Sequence, residues 1–292
     1  MRDYIELTKP RITWLILMST GIGYFFGLPR AANWWEFLTR IHLLSLFHTI
    51  AGTALIASGT AALNQWYERV ADRKMRRTAR RPLPSGRLQA RRALAFGAAL
   101  SAAGFLELWL GVNLLSALIG AFTLASYLFL YTPMKQRTWW STTVGAVPGA
   151  MPPMIGYAAA SGGITRESWV LFAILFLWQF PHFYSIAWMY REDYARAGIL
   201  MLPVVEPDGR STARQIVLYG VALIPVSLAP SLLGMSGRIY LVGALLLGLW
   251  FLYSGVRVAL ERSLVRARNV LITSVIYLPL IYGLMLIDRP GL

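Results

Sequence analysis

Nine apolar segments constrain this chain more than any other feature. They run approximately over residues 12–28, 43–63, 93–112, 114–131, 142–160, 169–190, 216–233, 239–256 and 270–287. Each is close to the roughly 20 residues that a helix needs to cross a bilayer. Inside hydrocarbon every backbone polar group must find its partner within the protein, which a helix achieves segment by segment. The expected architecture is an all-α integral membrane protein, with nine transmembrane helices around a central cavity and residues 1–292 forming one domain. No soluble domain interrupts it, because the longest hydrophilic stretches are residues 65–92 and 191–215. Residues 1–11 carry acids and Pro10, and no small-residue cleavage site ends the first apolar run, so the first span is expected to remain in place.

Only 14% of the 292 residues are charged, yet the net charge is +15. In a soluble protein that excess would suggest nucleic acid. In an apolar chain it suits anionic lipid headgroups, and no nucleic-acid partner is expected. Nine spans divide the loops into two alternating sets, and 23 of the 28 Lys and Arg fall in one of them, with Arg30, Arg40, Arg166, Arg238 and Arg289 in the other. One span missed or invented would scramble that split. The positive-inside rule then puts the amino terminus in the cytoplasm and the carboxyl terminus across the membrane.

The second span runs on into Asn64, Glu68 and Asp72, three oxygen ligands at i, i+4 and i+8 and hence on one helix face. Hard oxygen donors with one or two carboxylates suit Mg²⁺, which takes its remaining ligands from water and substrate phosphates. The competing reading is an amphipathic helix end whose acids pair with Arg69, Arg73 and Arg76. With no cysteine in the chain, thiolate metal sites and cysteine nucleophiles are excluded.

After the triplet comes a cationic loop, residues 72–86, stiffened by Pro82 and Pro84 and carrying Arg77 and Arg81. Guanidinium groups bind phosphate oxygens in bidentate fashion. Lys135 and Arg137 add two cations after the fourth span. Glu192 and Asp193 could hold a second Mg²⁺ or neutralise Arg191 and Arg196. Gly145, Pro148, Gly149, Pro152, Pro153 and Gly156 should kink the fifth span, to pack helices closely, to widen a cavity, or both. His182 reads either as a hydrogen-bonded core residue or as an iron or metal ligand; His42 and His48 share that ambiguity.

In this order the blocks resemble the intramembrane prenyltransferases of the UbiA superfamily, and most closely its haem-farnesylating branch. The likeness is carried by residues 7–12, the Asn64, Glu68 and Asp72 triplet, Met75, Arg77 and Thr78, and residues 81–86. It continues through Tyr131, Thr132 and Pro133 with Lys135, Arg137 and Thr138, then residues 149–153, 181–183, Asp193 with Tyr194, and residues 201–204. Glu68 stands where many members have Asp. Tyr190 and Tyr194 occupy the spacing of the second motif's paired aspartates, which puts a second metal site in doubt.

The resemblance implies transfer of a farnesyl group from farnesyl diphosphate to a vinyl group of haem B, with water completing a hydroxyethyl side chain. The alternative is an aromatic prenyltransferase of quinone biosynthesis. It further implies a cytoplasmic (inner) membrane location and a downstream haem A synthase as partner. On that reading Asn64, Glu68 and Asp72 are catalytic through Mg²⁺, Arg77, Arg81, Lys135 and Arg137 hold the diphosphate, and Lys9, Arg11 and His182 lie on the haem side. A transporter would show polar groups deep in several spans, whereas here they gather at one face. A structural membrane subunit has no need of the triplet.

Overall fold

The longest uninterrupted helix carries the polar triplet, and its length explains where that triplet sits. In the computed structural model, which describes residues 1–29 and 40–290, this helix is α3 (Arg40–Lys74), with 35 residues. At 1.5 Å per residue it is about 50 Å long, well beyond the roughly 30 Å of bilayer hydrocarbon. Its last three turns therefore project past the apolar stretch, and Asn64, Glu68 and Asp72 occupy them. Arg30 and Gly291 lie outside the described residues.

Among the described residues the secondary structure is entirely helical. Before α3 come α1 (Arg2–Leu7) and α2 (Pro10–Gly27); after it come α4 (Ala90–Gly111), α5 (Leu114–Met134), α6 (Ser141–Gly149) and α7 (Pro152–Ser161). The chain continues through α8 (Arg166–Met189), α9 (Arg191–Ala197), α10 (Leu202–Val205), α11 (Arg210–Leu232), α12 (Arg238–Leu260) and α13 (Leu264–Ile287). Seven of these, α3, α4, α5, α8, α11, α12 and α13, are long and apolar enough to cross a membrane.

The two other expected spans depart from that standard for identifiable reasons. Helix α2, 18 residues long, opens on Pro10 and Arg11 and carries Thr13, Ser19 and Thr20, which makes it less apolar than those seven. The fifth span is two helices, because the chain breaks at Ala150 and Met151 and restarts with Pro152, which lacks an N–H and suits the first helical position. Its small residues divide by role. A Cβ on Gly156 would lie 1.9 Å from the Thr20 carbonyl oxygen, so this glycine lets α7 touch α2, whereas Pro148, Gly149 and Pro152 line a cavity.

Helices α2, α6, α8 and α11–α13 share a core rich in aromatics, including Phe180, Tyr184, Tyr240, Phe251 and Tyr277. Phe180 stacks on Tyr219 at 3.7 Å, and the Tyr240 hydroxyl donates to the Ser227 carbonyl at 2.7 Å, so burial leaves its polar end satisfied. A smaller aliphatic core around Ile56, Leu108 and Ile155 joins α3, α4, α5 and α7.

Residues 75–89 fold over the projecting end of α3. Thr78 Oγ1 donates to the Asp72 carbonyl at 2.8 Å, Arg73 Nε to the Pro84 carbonyl at 3.2 Å, and Gly86 takes the turn at φ +77°. Arg87 ties this loop to Asp3 and Glu6 of α1. At the far end of the bundle, Arg289 donates to the Phe25 and Leu28 carbonyls at 2.9 and 3.2 Å. Residues 1 and 290 thus lie at opposite ends.

Candidate functional site

All three members of the triplet face one cavity of about 200 Å³ at the loop end of the bundle. Asn64 and Asp72 are almost fully buried, at 2% and 1% exposure. The triplet's cationic partners are not the neighbouring Arg69, Arg73 and Arg76 but Lys9 and Lys135 from distant segments and Arg81 from further along the loop. Lys135 Nζ meets Glu68 Oε1 at 2.8 Å, Arg81 Nη1 meets Asp72 Oδ2 at 2.8 Å, and Lys9 Nζ lies 3.5 Å from Asn64 Oδ1. Asn64 Nδ2 donates to Glu68 Oε2 at 3.0 Å and to Thr132 Oγ1 at 3.3 Å, which fixes the amide with its oxygen toward Lys9. Local pairing, the simpler account of the acids, is not what the fold makes of them.

Each cation has its own support. Lys9 separates α1 from α2 and holds φ 48°, ψ 61°, the left-handed region, although it is not glycine and precedes a proline. That conformation costs about 1–2 kcal/mol and is further disfavoured before proline. Such strain concentrates at functional sites. Burial, and next the Arg81 guanidinium, bring the Lys9 ammonium down to about 8. Burial also opposes the charge on Lys135, but Glu68 with Tyr131 and Tyr127 outweighs it and holds Lys135 well above the ordinary lysine value. The Lys135 ammonium lies 4.3 Å from the Tyr131 ring centre. Arg77 stacks over Tyr190 and Tyr194 at 5.0 and 5.9 Å. The two tyrosines at the position of expected aspartates thus form an aromatic cradle for a cavity-lining arginine.

A second cavity, about 140 Å³ and mainly apolar, is lined by Ile16, Thr53, Ile56, Ala57, Pro148 and Pro152 among others. It shares Lys9, Ile12 and Tyr127 with the polar one. A ligand with a charged head and a hydrocarbon tail would find both environments side by side.

Lys9, Asn64, Glu68, Asp72, Arg77, Arg81 and Lys135 all line the polar cavity. Other expected site residues do not. Arg11 and Arg137 are exposed and stand outside its wall. His182 stacks on Trp178 at 4.8 Å and meets Ser274 Oγ of α13 at 2.8 Å through Nδ1. This is the hydrogen-bonded reading of that histidine, and it separates His182 from Lys9, which reaches toward the triplet instead. His48 Nδ1 meets Glu107 Oε1 at 2.7 Å, and the His42 carbonyl accepts from Tyr24.

The second-metal expectation also changes. Asp193 accepts from the backbone N–H of Arg76 and Arg77, 3.3 Å each, and pairs with Arg196, so its carboxylate anchors the loop; Glu192 is exposed. Tyr127 and Ile186 on this wall lie outside the blocks that carry the likeness, whereas Phe183 and Met201 lie inside them. Tyr127 was findable, since Tyr127, Tyr131 and Lys135 repeat the i, i+4, i+8 spacing of the triplet.

The donor set fits a hard divalent cation. No group of three or more His, Cys, Asp or Glu occurs among the described residues. A metal here would rest on Glu68 and Asp72 with the Asn64 oxygen, few enough protein ligands to leave positions for phosphate oxygens, as Mg²⁺ prefers.

The model of the UbiA prenyltransferase family matches residues 16–277. The chain belongs to that family. Its relatives include the protohaem IX farnesyltransferase of Solibacter usitatus (strain Ellin6076), 86% identical over 292 residues and covering both chains completely. That of Koribacter versatilis (strain Ellin345) is 45% identical, covering 99% of this chain and 94% of its own. In fold the chain is similar to a structure described for digeranylgeranylglyceryl phosphate synthase, with TM-score 0.80, 18% identity and coverage of 100% and 99%. It is also similar to a UbiA homologue from Archaeoglobus fulgidus bound to GPP and Mg²⁺, with TM-score 0.62, 16% identity and coverage of 97% and 99%. Family and apolar helices together make this UbiA member a multi-pass membrane protein.

Proposed function

We propose that this chain is a haem O synthase, which joins the farnesyl group of farnesyl diphosphate to a vinyl group of haem B. The observation that carries the reading is the junction at Lys9, Ile12 and Tyr127 between a cation-lined polar cavity and an apolar one. That pairing suits a diphosphate head and an isoprenoid tail. The 86% identity to a protohaem IX farnesyltransferase supports haem as acceptor.

In the reaction, the allylic carbon–oxygen bond breaks and its electron pair leaves with diphosphate. The terminal vinyl carbon then bonds to the farnesyl carbon. Water adds to the remaining carbon and loses a proton, giving a hydroxyethyl group. Lys9, Arg77, Arg81 and Lys135 bind the departing oxygens, and since negative charge grows as the bond lengthens, they favour the transition state over the bound substrate. Asn64, Glu68 and Asp72 would hold Mg²⁺, which supplies further charge neutralisation at the leaving group. Tyr127, Ile12 and the apolar walls exclude water from the allylic carbon until carbon–carbon bonding is complete.

Incubating the purified protein with haem B, farnesyl diphosphate and Mg²⁺ should yield a haem heavier by one farnesyl group and one hydroxyl group, resolved by mass spectrometry. A product only with a hydroxybenzoate acceptor would replace haem with an aromatic ring.

The 23 to 5 charge division supports a cytoplasmic site in an inner membrane. The cysteine-free chain makes labelling clean: a cysteine at Ser85 should meet an impermeant thiol reagent only in opened cells, and one at Gly291 in intact cells. A downstream haem A synthase would receive the product, and residues 1–292 would act as one catalytic domain.

A further inference from the structure

Beside the polar cavity, and sharing only Arg77 with it, lies an open cavity of about 480 Å³ that the mechanism above does not use. Its wall combines Met189, Tyr190 and Leu264 with Arg76, Arg77, Arg191 and Arg196. The carboxylates on it are Glu192 and Asp193. Asp193 is already engaged by Arg196 and two loop N–H groups. Arg77 is held by the Tyr190 and Tyr194 rings and reaches the diphosphate side. Arg191 stacks over Trp188 at 4.6 Å and donates to the Trp188 carbonyl at 3.2 Å, which sets its guanidinium in place. Arg76 is exposed.

From this arrangement we infer that the Arg76 and Arg191 wall receives the two propionates of the haem acceptor and so orients its vinyl edge toward the farnesyl cavity. The inference rests on the proposed reaction. With Arg196 paired to Asp193 and Arg77 serving the diphosphate, Arg76 and Arg191 remain on this wall, two cations for two propionates. The apolar and aromatic side chains between the cations match a flat porphyrin face. A shared Arg77 makes the two cavities neighbours, as transfer between two substrates requires. Glu192 is the opposing charge on this wall and should weaken the site it borders.

The test is steady-state kinetics of purified Arg76→Gln, Arg191→Gln and Glu192→Gln in defined lipid, with haem B and haem B dimethyl ester as acceptors. Each arginine variant should raise KM for haem B roughly tenfold, the scale of one lost charge-assisted contact. KM for farnesyl diphosphate should stay within about twofold, and Glu192→Gln should lower KM for haem B. Esterification should penalise the wild type and leave the double variant Arg76→Gln/Arg191→Gln nearly indifferent. If these arginines only anchor lipid headgroups, KM for haem B is unchanged in all variants and the inference falls. It falls equally if the double variant still discriminates against the ester as strongly as wild type. Failure of the wild type to farnesylate either haem would instead overturn the reaction itself.

Discussion

The upper, polar cavity and the lower, apolar one meet at Lys9 and share walls from α2, α3, α5 and α6, yet they differ in almost every physical respect. In the upper one, Lys9, Asn64, Glu68, Asp72, Arg81 and Lys135 contact one another, so that charge is arranged in advance of any ligand. In the lower one, Thr13, Thr53, Thr60 and Thr123 are the polar residues beyond Lys9 and Tyr127, and Thr13, Thr60 and Thr123 return their hydroxyls to helix carbonyls. One helix, α3, supplies both walls because it outruns the apolar layer. The contrast teaches that charge and tail recognition are separable here, and substitutions should separate them.

The largest effect is expected at the centre of the upper cavity. Asp72→Ala removes a cation ligand and strands Arg81, and should lower the rate of farnesyl transfer by roughly 10²-fold or more, the scale of one preorganised transition-state contact. Thermal unfolding and membrane insertion should barely change; a near-normal single-turnover rate at saturating Mg²⁺ would remove Asp72 from the chemistry.

Next comes the lower cavity, where Ala57→Trp fills space needed by the tail. Excluding two or three methylenes at about 0.8 kcal/mol each should weaken farnesyl diphosphate binding about thirtyfold. Geranyl diphosphate and inorganic diphosphate should bind as before. Equal losses for all three ligands would show that the cavities are not independent.

A smaller change tests geometry within the upper cavity. Arg81→Lys keeps the charge but loses the bidentate fork, and should slow transfer by roughly tenfold, equivalent to about 1.4 kcal/mol of transition-state stabilisation. Haem affinity should be unaffected. A wild-type rate would leave Arg81 as the charge partner of Asp72 with no part at the leaving group.

The smallest effect belongs to the hinge between the cavities. With its value lowered to about 8, Lys9 loses its proton above that pH in the free protein, while a bound diphosphate restores it. Binding then takes up a proton above pH 8 and weakens as pH rises, by roughly threefold between pH 7.5 and 8.5. Isothermal titration should show this slope in wild type and its loss in Lys9→Met. An identical slope in the variant would assign the proton elsewhere.

Seven of the nine expected spans, the charge division, the triplet on one helix face and the family likeness were legible in the linear chain. They depend on local periodicity and on residue type, which sequence order carries directly. What the fold alone decided is which charges meet. Asp72 pairs with Arg81 rather than Arg76, Glu68 with Lys135, 67 residues away, and Asn64 with Lys9, 55 residues away. Nothing in the local pattern distinguishes Arg81 from the neighbouring arginines of its loop, or turns His182 toward Ser274 and Asp193 toward a backbone. Side-chain partners across helices follow from crossing geometry and loop closure, and those are set by packing over the whole chain: Gly156 against Thr20, Arg87 against α1, and the break before Pro152 that opens the tail cavity.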